Sequence, residues 1–375
     1  LYNILPLLLG VVQDSLGFSD SQLGFLTSAY FVGFTLSTIS AFYWVRRASW
    51  RLVASSMALL SCLCVLMLAF TQSFILFELL LFLLGVTTSA IYGIGTTLIG
   101  DTAEPARNYG FKLGAEAGAG VVLMILLPPL VIVQWGMTGL LISLLIFFIL
   151  LATAIVWLPA GSVKTAKSNE QINTKSSMSR AELIAVWLGL IAFFIYFSGV
   201  SALWAFLERI GNNAGHDASF IGLVLAFALT SATCGSFIMA SIGGRLGLIL
   251  PQVIAAGVFL LSVIALGIDD KFYYAMGACL FAASFGIAVP VQVTVVSHFD
   301  RIGKYVVLTA VSFSMGGALG PAVVGIIKSP DSNQAILMFA MACVAIALVI
   351  NFIVLKRFNI HPGLTTESFS QSLKH

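Results

Sequence analysis

Three glutamates sit inside long apolar runs of this sequence, and a carboxyl group in such a place must find a partner or exchange a proton. Glu116 lies in Lys112-Leu113-Gly114-Ala115-Glu116-Ala117-Gly118. It suits a proton-coupling carboxylate whose protonation is linked to the arrival of an opposite charge; its plainer role is an i, i+4 pair with Lys112 on one helix face. Glu78 and Glu208 fall near the ends of their runs, where a long side chain reaches water, and Glu208 beside Arg209 reads as an interfacial pair or a gate. Asn3 and Gln292 carry amides that need hydrogen-bond partners wherever water is excluded, and Tyr2, Tyr92, Tyr196 and Trp204 add aromatic rings with polar tips. His298, next to Asp300, reads as a solvated residue at a helix end. The sequence has no Gly-x-x-x-x-Gly-Lys-Ser/Thr loop, no Gly-x-Ser-x-Gly turn and no His/Cys/Asp grouping with metal-ligand spacing, and Gly93-x-Gly95 lacks the pattern of a dinucleotide site. No catalytic residue, metal or cofactor is expected, and the chain does not read as an enzyme.

The elements that must position these residues follow from composition. Of 375 residues, 59% are hydrophobic and 9% charged, too few charges to cover a water-facing surface. Most of the surface therefore faces lipid. Cutting at charges and turn residues leaves apolar segments at 1–13, 21–43, 52–70, 74–99, 111–133, 137–158, 183–208, 219–243, 249–268, 272–297, 305–327 and 334–355. These lengths suit spanning helices, and no alternating pattern suggests barrel strands. The expected fold is an all-α membrane protein of twelve transmembrane helices in two pseudo-symmetric six-helix bundles. The first apolar run, Leu1 to Val12, is shorter than the roughly 20 residues a span needs, so the sequence is read as beginning inside a truncated first helix. The five cysteines are scattered through apolar runs and read as small buried hydrophobes, not as disulfides.

Assigning loops alternately to two sides puts 15 Lys and Arg on one side and leaves only Arg209, Lys271 and Lys328 on the other. The positive-inside rule places the 15 in the cytoplasm, together with the C-terminal tail. The longest polar stretch, 160–180, divides an N-terminal half, 1–159, from a C-terminal half, 181–356, and a cytoplasmic tail follows at 357–375. The halves echo each other: Arg301 lies 194 positions beyond Arg107 at the matching loop, and Arg245 lies 199 beyond Arg46. Similar offsets at matching places indicate duplication. The net charge of +3 and the absence of a basic, aromatic-studded face argue against nucleic acid as a partner.

Six plus six helices, a long basic central loop and short Arg/Gly loops after helices 2 and 8 resemble the major facilitator superfamily along the whole chain. That family carries an Asp-Arg-x-Gly-Arg type of loop after helix 2. Here the first copy reads Val45-Arg46-Arg47-Ala48-Ser49-Trp50-Arg51, matching the Arg but neither the acid nor the Gly, and the second, Gly243-Gly244-Arg245-Leu246-Gly247, keeps Arg-x-Gly and lacks the acid. In helix 11, Gly316, Gly320, Pro321 and Gly325 resemble the family's small-residue signature, and small residues at that spacing let helix backbones approach closely in lipid.

The resemblance implies a secondary transporter working by alternating access, with helices 1, 4, 7 and 10 around a central cavity. Tyr2, Asn3, Tyr92, Tyr196, Trp204 and Gln292 are then the binding candidates, Glu116 the proton-coupling candidate, and Arg46, Arg107, Arg245 and Arg301 the cytoplasmic gate. With no Lys or Arg expected at mid-depth, the solute is read as small and neutral, amphipathic or weakly cationic. The expected setting is the cytoplasmic (inner) membrane, as a monomer, with lipid, solute and protons as partners. A transport-inactive sensor or assembly partner of the same fold is the alternative.

Overall fold

A computed structural model describes residues 2–45, 47–100, 105–159, 161, 178–242, 246–300, 305, 308–327 and 333–357. Among them are twelve α-helices: α1 (Leu5–Leu16, entered through a single tight turn at Tyr2–Ile4), α2 (Asp20–Trp44), α3 (Trp50–Leu68), α4 (Phe74–Gly100), α5 (Pro105–Leu127), α6 (Val133–Thr153), α7 (Arg180–Asn213), α8 (Ala218–Ile242), α9 (Ile249–Leu266), α10 (Lys271–Phe299), α11 (Thr309–Ile327) and α12 (Gln334–Arg357). Ten stretches are long and apolar enough to cross a membrane; one of them, Ala115–Trp157, runs through both α5 and α6. The remaining helix, α1, has 12 residues.

Local sequence sets the helix ends. Ser19 and Gln22 close a capping box at the start of α2, Ser179 and Glu182 do the same for α7, and the Asp270 carboxylate accepts the first free N–H groups of α10. The clearest departure from expectation is α5, which begins at Pro105 instead of near residue 111. Proline suits a first helical turn, whose N–H has no partner in any case, and Arg107 and Lys112 do not interrupt a helix. At the other end, Pro128 and Pro129 bring a widened π turn over Pro128–Ile132, and Gly136, at φ 54°, kinks the chain within the first turn of α6.

Each half is drawn together by glycine. A Cβ at Gly33 of α2 would meet the Phe82 carbonyl of α4, and one at Gly85 of α4 would meet the Tyr30 carbonyl of α2. The other half repeats this seam: Gly235 of α8 lies against the Ala283 carbonyl of α10, and Gly286 of α10 against the Ala232 carbonyl of α8. Gly235 stands 202 positions beyond Gly33 and Gly286 201 beyond Gly85, close to the offsets of the loop arginines. The pseudo-symmetry thus extends to the packing of individual backbones.

The halves meet along α2–α11, α5–α8 and α1–α7. Gly24 of α2 faces the Pro321 carbonyl and Gly325 of α11, Ser28 donates to the Ala318 carbonyl, and Gly317 lies on the Phe31 ring. Gly222 of α8 sits on Pro128 and the Met124 carbonyl at the end of α5. These contacts run from mid-depth to the end of the bundle that carries the α1–α2 connection. At the opposite end, which carries the α2–α3 connection, each half keeps its own apolar cluster: Trp50, Ala54 and Ile94 in one, and Ala185, Val186, Leu190, Val295, Val296, Phe299, Val354 and Leu355 in the other.

Candidate functional site: a polar cavity wall beneath an aromatic seal

The turn at Tyr2–Ile4 brings Tyr2 and Asn3 to the middle of the bundle. The Tyr2 ring meets Phe31, Phe197, Trp204 and Phe313, with centroids 5.8–6.4 Å away. Trp204 Nε1 donates to the Tyr2 carbonyl (3.1 Å), tying α7 to α1, and Phe197 and Phe313 stack at 3.7 Å. Two of the expected binding residues, Tyr2 and Trp204, are thus in direct contact across the halves.

Asn3 turns the other way. Its Nδ2 donates to the Glu116 carbonyl of α5 (3.0 Å), and its side chain packs on Gly120 one turn further along. Glu116 Oε1 accepts from Lys112 Nζ at 2.6 Å, and the same ammonium lies 3.8 Å from the centre of the Tyr92 ring. Tyr92 and Glu116 therefore meet at Lys112, and Asn3 joins them through the Glu116 backbone; the sequence reading treats Lys112 only as a partner at the helix edge. Because α5 starts at Pro105, Lys112 lies about 10 Å and Glu116 about 16 Å inside the helix at 1.5 Å per residue. Lys112 thus lies about two turns inside α5, further from the helix start than the sequence reading puts it.

Tyr196 and Gln292 are placed elsewhere. With Gln252 of α9 they line a small cavity inside the C-terminal half, closed by Ala255, Ala256, Ala288, Val344 and Leu348. The space open to the centre of a water is ≈ 20 Å³, enough for one molecule. Gln292 Oε1 accepts from Asn351 Nδ2 of α12 (3.2 Å), while the Tyr196 hydroxyl and Gln252 Nε2 have no protein partner. Gln252 and Asn351 were not singled out from sequence; a lone amide in each of two apolar runs is the only signal they give.

Glu208 is 6% exposed and lies under Gly10 of α1. Its neighbour Arg209 reaches Asp14 of α1 instead (Nη1 to Oδ1, 2.7 Å), so the pair at this end bridges α1 and α7 instead of joining adjacent residues of one helix. Of the expected gate, Arg46, Arg245 and Arg301 lie outside the described residues; Arg107 falls in α5 with its side chain outside the description. His298 closes α10.

A model of the Major Facilitator Superfamily matches residues 1–321. The chain belongs to this family. No curated protein matches it, but many solved structures share its fold. A mutant of the nucleoside transporter NupG aligns over 96% of both chains with a TM-score of 0.71 at 13% identity. A bacterial homologue of the human lysosomal transporter Spinster, solved inward-facing and occupied, aligns over 94% of both chains with a TM-score of 0.65 at 15% identity. At such identity the likeness is one of fold. Membership of the superfamily is what makes the chain a multi-pass membrane transporter, whose partners are a small-molecule solute and membrane lipid.

Proposed function

We propose that this protein is a proton-coupled secondary transporter that carries a small amphipathic solute across the cytoplasmic membrane by alternating access, with 1–159 and 181–356 as the moving halves. The observation that carries this reading is the distribution of contacts between the halves. Among the described residues they gather at the α1–α2 end, whereas the α2–α3 end has two private apolar clusters. A bundle built this way has one closed and one separable end. Its cationic loops point the separable end to the cytoplasm, with the C-terminus on the same side.

Between the ends lie Tyr2, Asn3, Tyr92 and Glu116, the last two with 42% and 43% exposure at residue and side chain respectively. Together with Trp204 they offer aromatic faces and hydrogen-bonding groups to one solute, while Tyr196 and Gln292, enclosing room for a single water, support the wall of the C-terminal half from behind. Glu116 is the proposed proton carrier, because it is the accessible carboxylate on this wall. The protein acts as a monomer. In proteoliposomes holding the full-length protein, adding a transported solute moves protons across the membrane, and Glu116→Gln abolishes that movement. Folded protein that moves neither solute nor protons with any member of a broad panel would instead be a transport-inactive relative of the same fold.

A further inference from the structure

We infer that Lys112 is the recognition group for a carboxylate on the transported solute, and that Glu116 occupies its place until the solute arrives. The inference rests on the transporter reading for what the site is used for, and on the geometry around Lys112 for what it binds.

Lys112 is the only described cation set more than about a turn inside a helix: Arg180, Lys271, Lys356 and Arg357 stand at helix termini, Arg47 and Arg51 at the α2–α3 connection, and Arg209 in the last turn of α7. A cation at such depth is costly in a bilayer and marks a pathway or a ligand. Two contacts fix it, the Tyr92 ring face at 3.8 Å and Glu116 Oε1 at 2.6 Å. The two partners of the ion pair are unequally covered: the Lys112 side chain is 14% exposed and that of Glu116 43%. The carboxylate is the open side. An incoming anion therefore displaces Glu116 while the ammonium stays seated on Tyr92, which acts as its fixed cation–π partner.

The surroundings define the rest of the solute. Asn3 binds the Glu116 backbone, and the adjoining Tyr2 ring belongs to the cluster of Phe31, Phe197, Trp204 and Phe313. A single ammonium is a point charge matched to a monoanion; a phosphate dianion calls for a forked or multiple cationic clamp. One carboxylate attached to an apolar or aromatic body meets both ends of this wall. Zwitterions qualify, since the displaced Glu116 offers a counter-charge to an ammonium on the solute.

The test uses purified full-length protein in detergent micelles and four probes built on one ring: phenylacetate, phenylacetamide, phenethylamine and phenyl phosphate. At ~10 mM, phenylacetate raises the unfolding temperature and the other three do so less or not at all, since a ligand bound only by the folded state stabilises it as the logarithm of its saturation. Lys112→Gln weakens phenylacetate binding about tenfold or more, and Lys112→Arg retains it. Glu116→Gln distinguishes exchange from a structural clamp, and also covers a misfolded Lys112 variant: removal of the internal competitor strengthens phenylacetate binding several-fold. The inference is overturned if the amide, amine or phosphate stabilises as well as the carboxylate, if phenylacetate gives no shift, or if Glu116→Gln weakens it. Carboxylate-selective binding without solute-driven proton movement in proteoliposomes would support this site while sinking the transport reading.

Discussion

At the scale of single residues, the amide pair Asn351–Gln292 illustrates what polar groups do inside this protein. Hydrogen bonds between membrane helices are worth about 0.6 kcal/mol on average, but leaving one buried partner alone adds its desolvation cost. Asn351→Leu should therefore destabilise by about 1–2 kcal/mol, and adding Gln292→Leu should recover part of the loss. Thermal unfolding of the two variants in one detergent checks this; equal loss in both would show that the pair contributes through packing. Such pairs are the least legible part of the sequence. Gln292 was visible as an amide needing a partner, but its partner lies 59 positions away on another helix. The same limit applied to Arg209, whose sequence neighbour Glu208 was the obvious acid and whose actual partner is Asp14. Sequence adjacency on a helix does not make residues face each other, because successive side chains point about 100° apart.

At the scale of helices, glycines fall into two classes with different consequences. Gly85 joins α4 to α2 within one half, so its contact persists whichever end of the bundle is closed. Gly24 joins α2 to α11 across the halves, and in the proposed cycle its contact exists only while the α1–α2 end is closed. Gly85→Ala should cost about 1–3 kcal/mol of overpacking and lower the unfolding temperature. Gly24→Ala should leave unfolding nearly unchanged and instead increase labelling of an engineered cysteine at the closed end. Indistinguishable effects of the two substitutions would refute the division. The twelve segments themselves were legible because lipid forces apolar length on each span, and α5 was the most displaced, with α6 shifted after it. Its start at Pro105 was hidden by Arg107 and Lys112, which were read as loop charges although a helix accommodates them. That one shift moved Lys112 from the edge of α5 to about two turns inside it, beside Tyr92 and Glu116.

For the whole molecule, the repeated seams Gly33–Gly85 and Gly235–Gly286 tie the helices of each half backbone to backbone, and the proposed mechanism makes transport a movement of one half against the other. Cross-linking them at the closed end should stop that movement. A cysteine pair at Ser28 and Ala318, whose native side chain and carbonyl are hydrogen-bonded, should block solute uptake into proteoliposomes when oxidised and restore it on reduction. Uptake that survives complete cross-linking would mean that the two helices stay together throughout the cycle. The family fold was recognisable from helix count, loop charge and repeat, whereas the closed end was not, since it depends on which glycines oppose which carbonyls.

The cluster of Tyr2, Phe31, Phe197, Trp204 and Phe313 has a bearing on energy conservation. Rings in contact, backed by helices touching backbone to backbone, oppose a chain of water along which a proton could hop. In the proposed proton-coupled cycle this packing would hold the gradient against leakage through the resting protein, and thinning the cluster by one ring would turn the carrier into a slow short circuit.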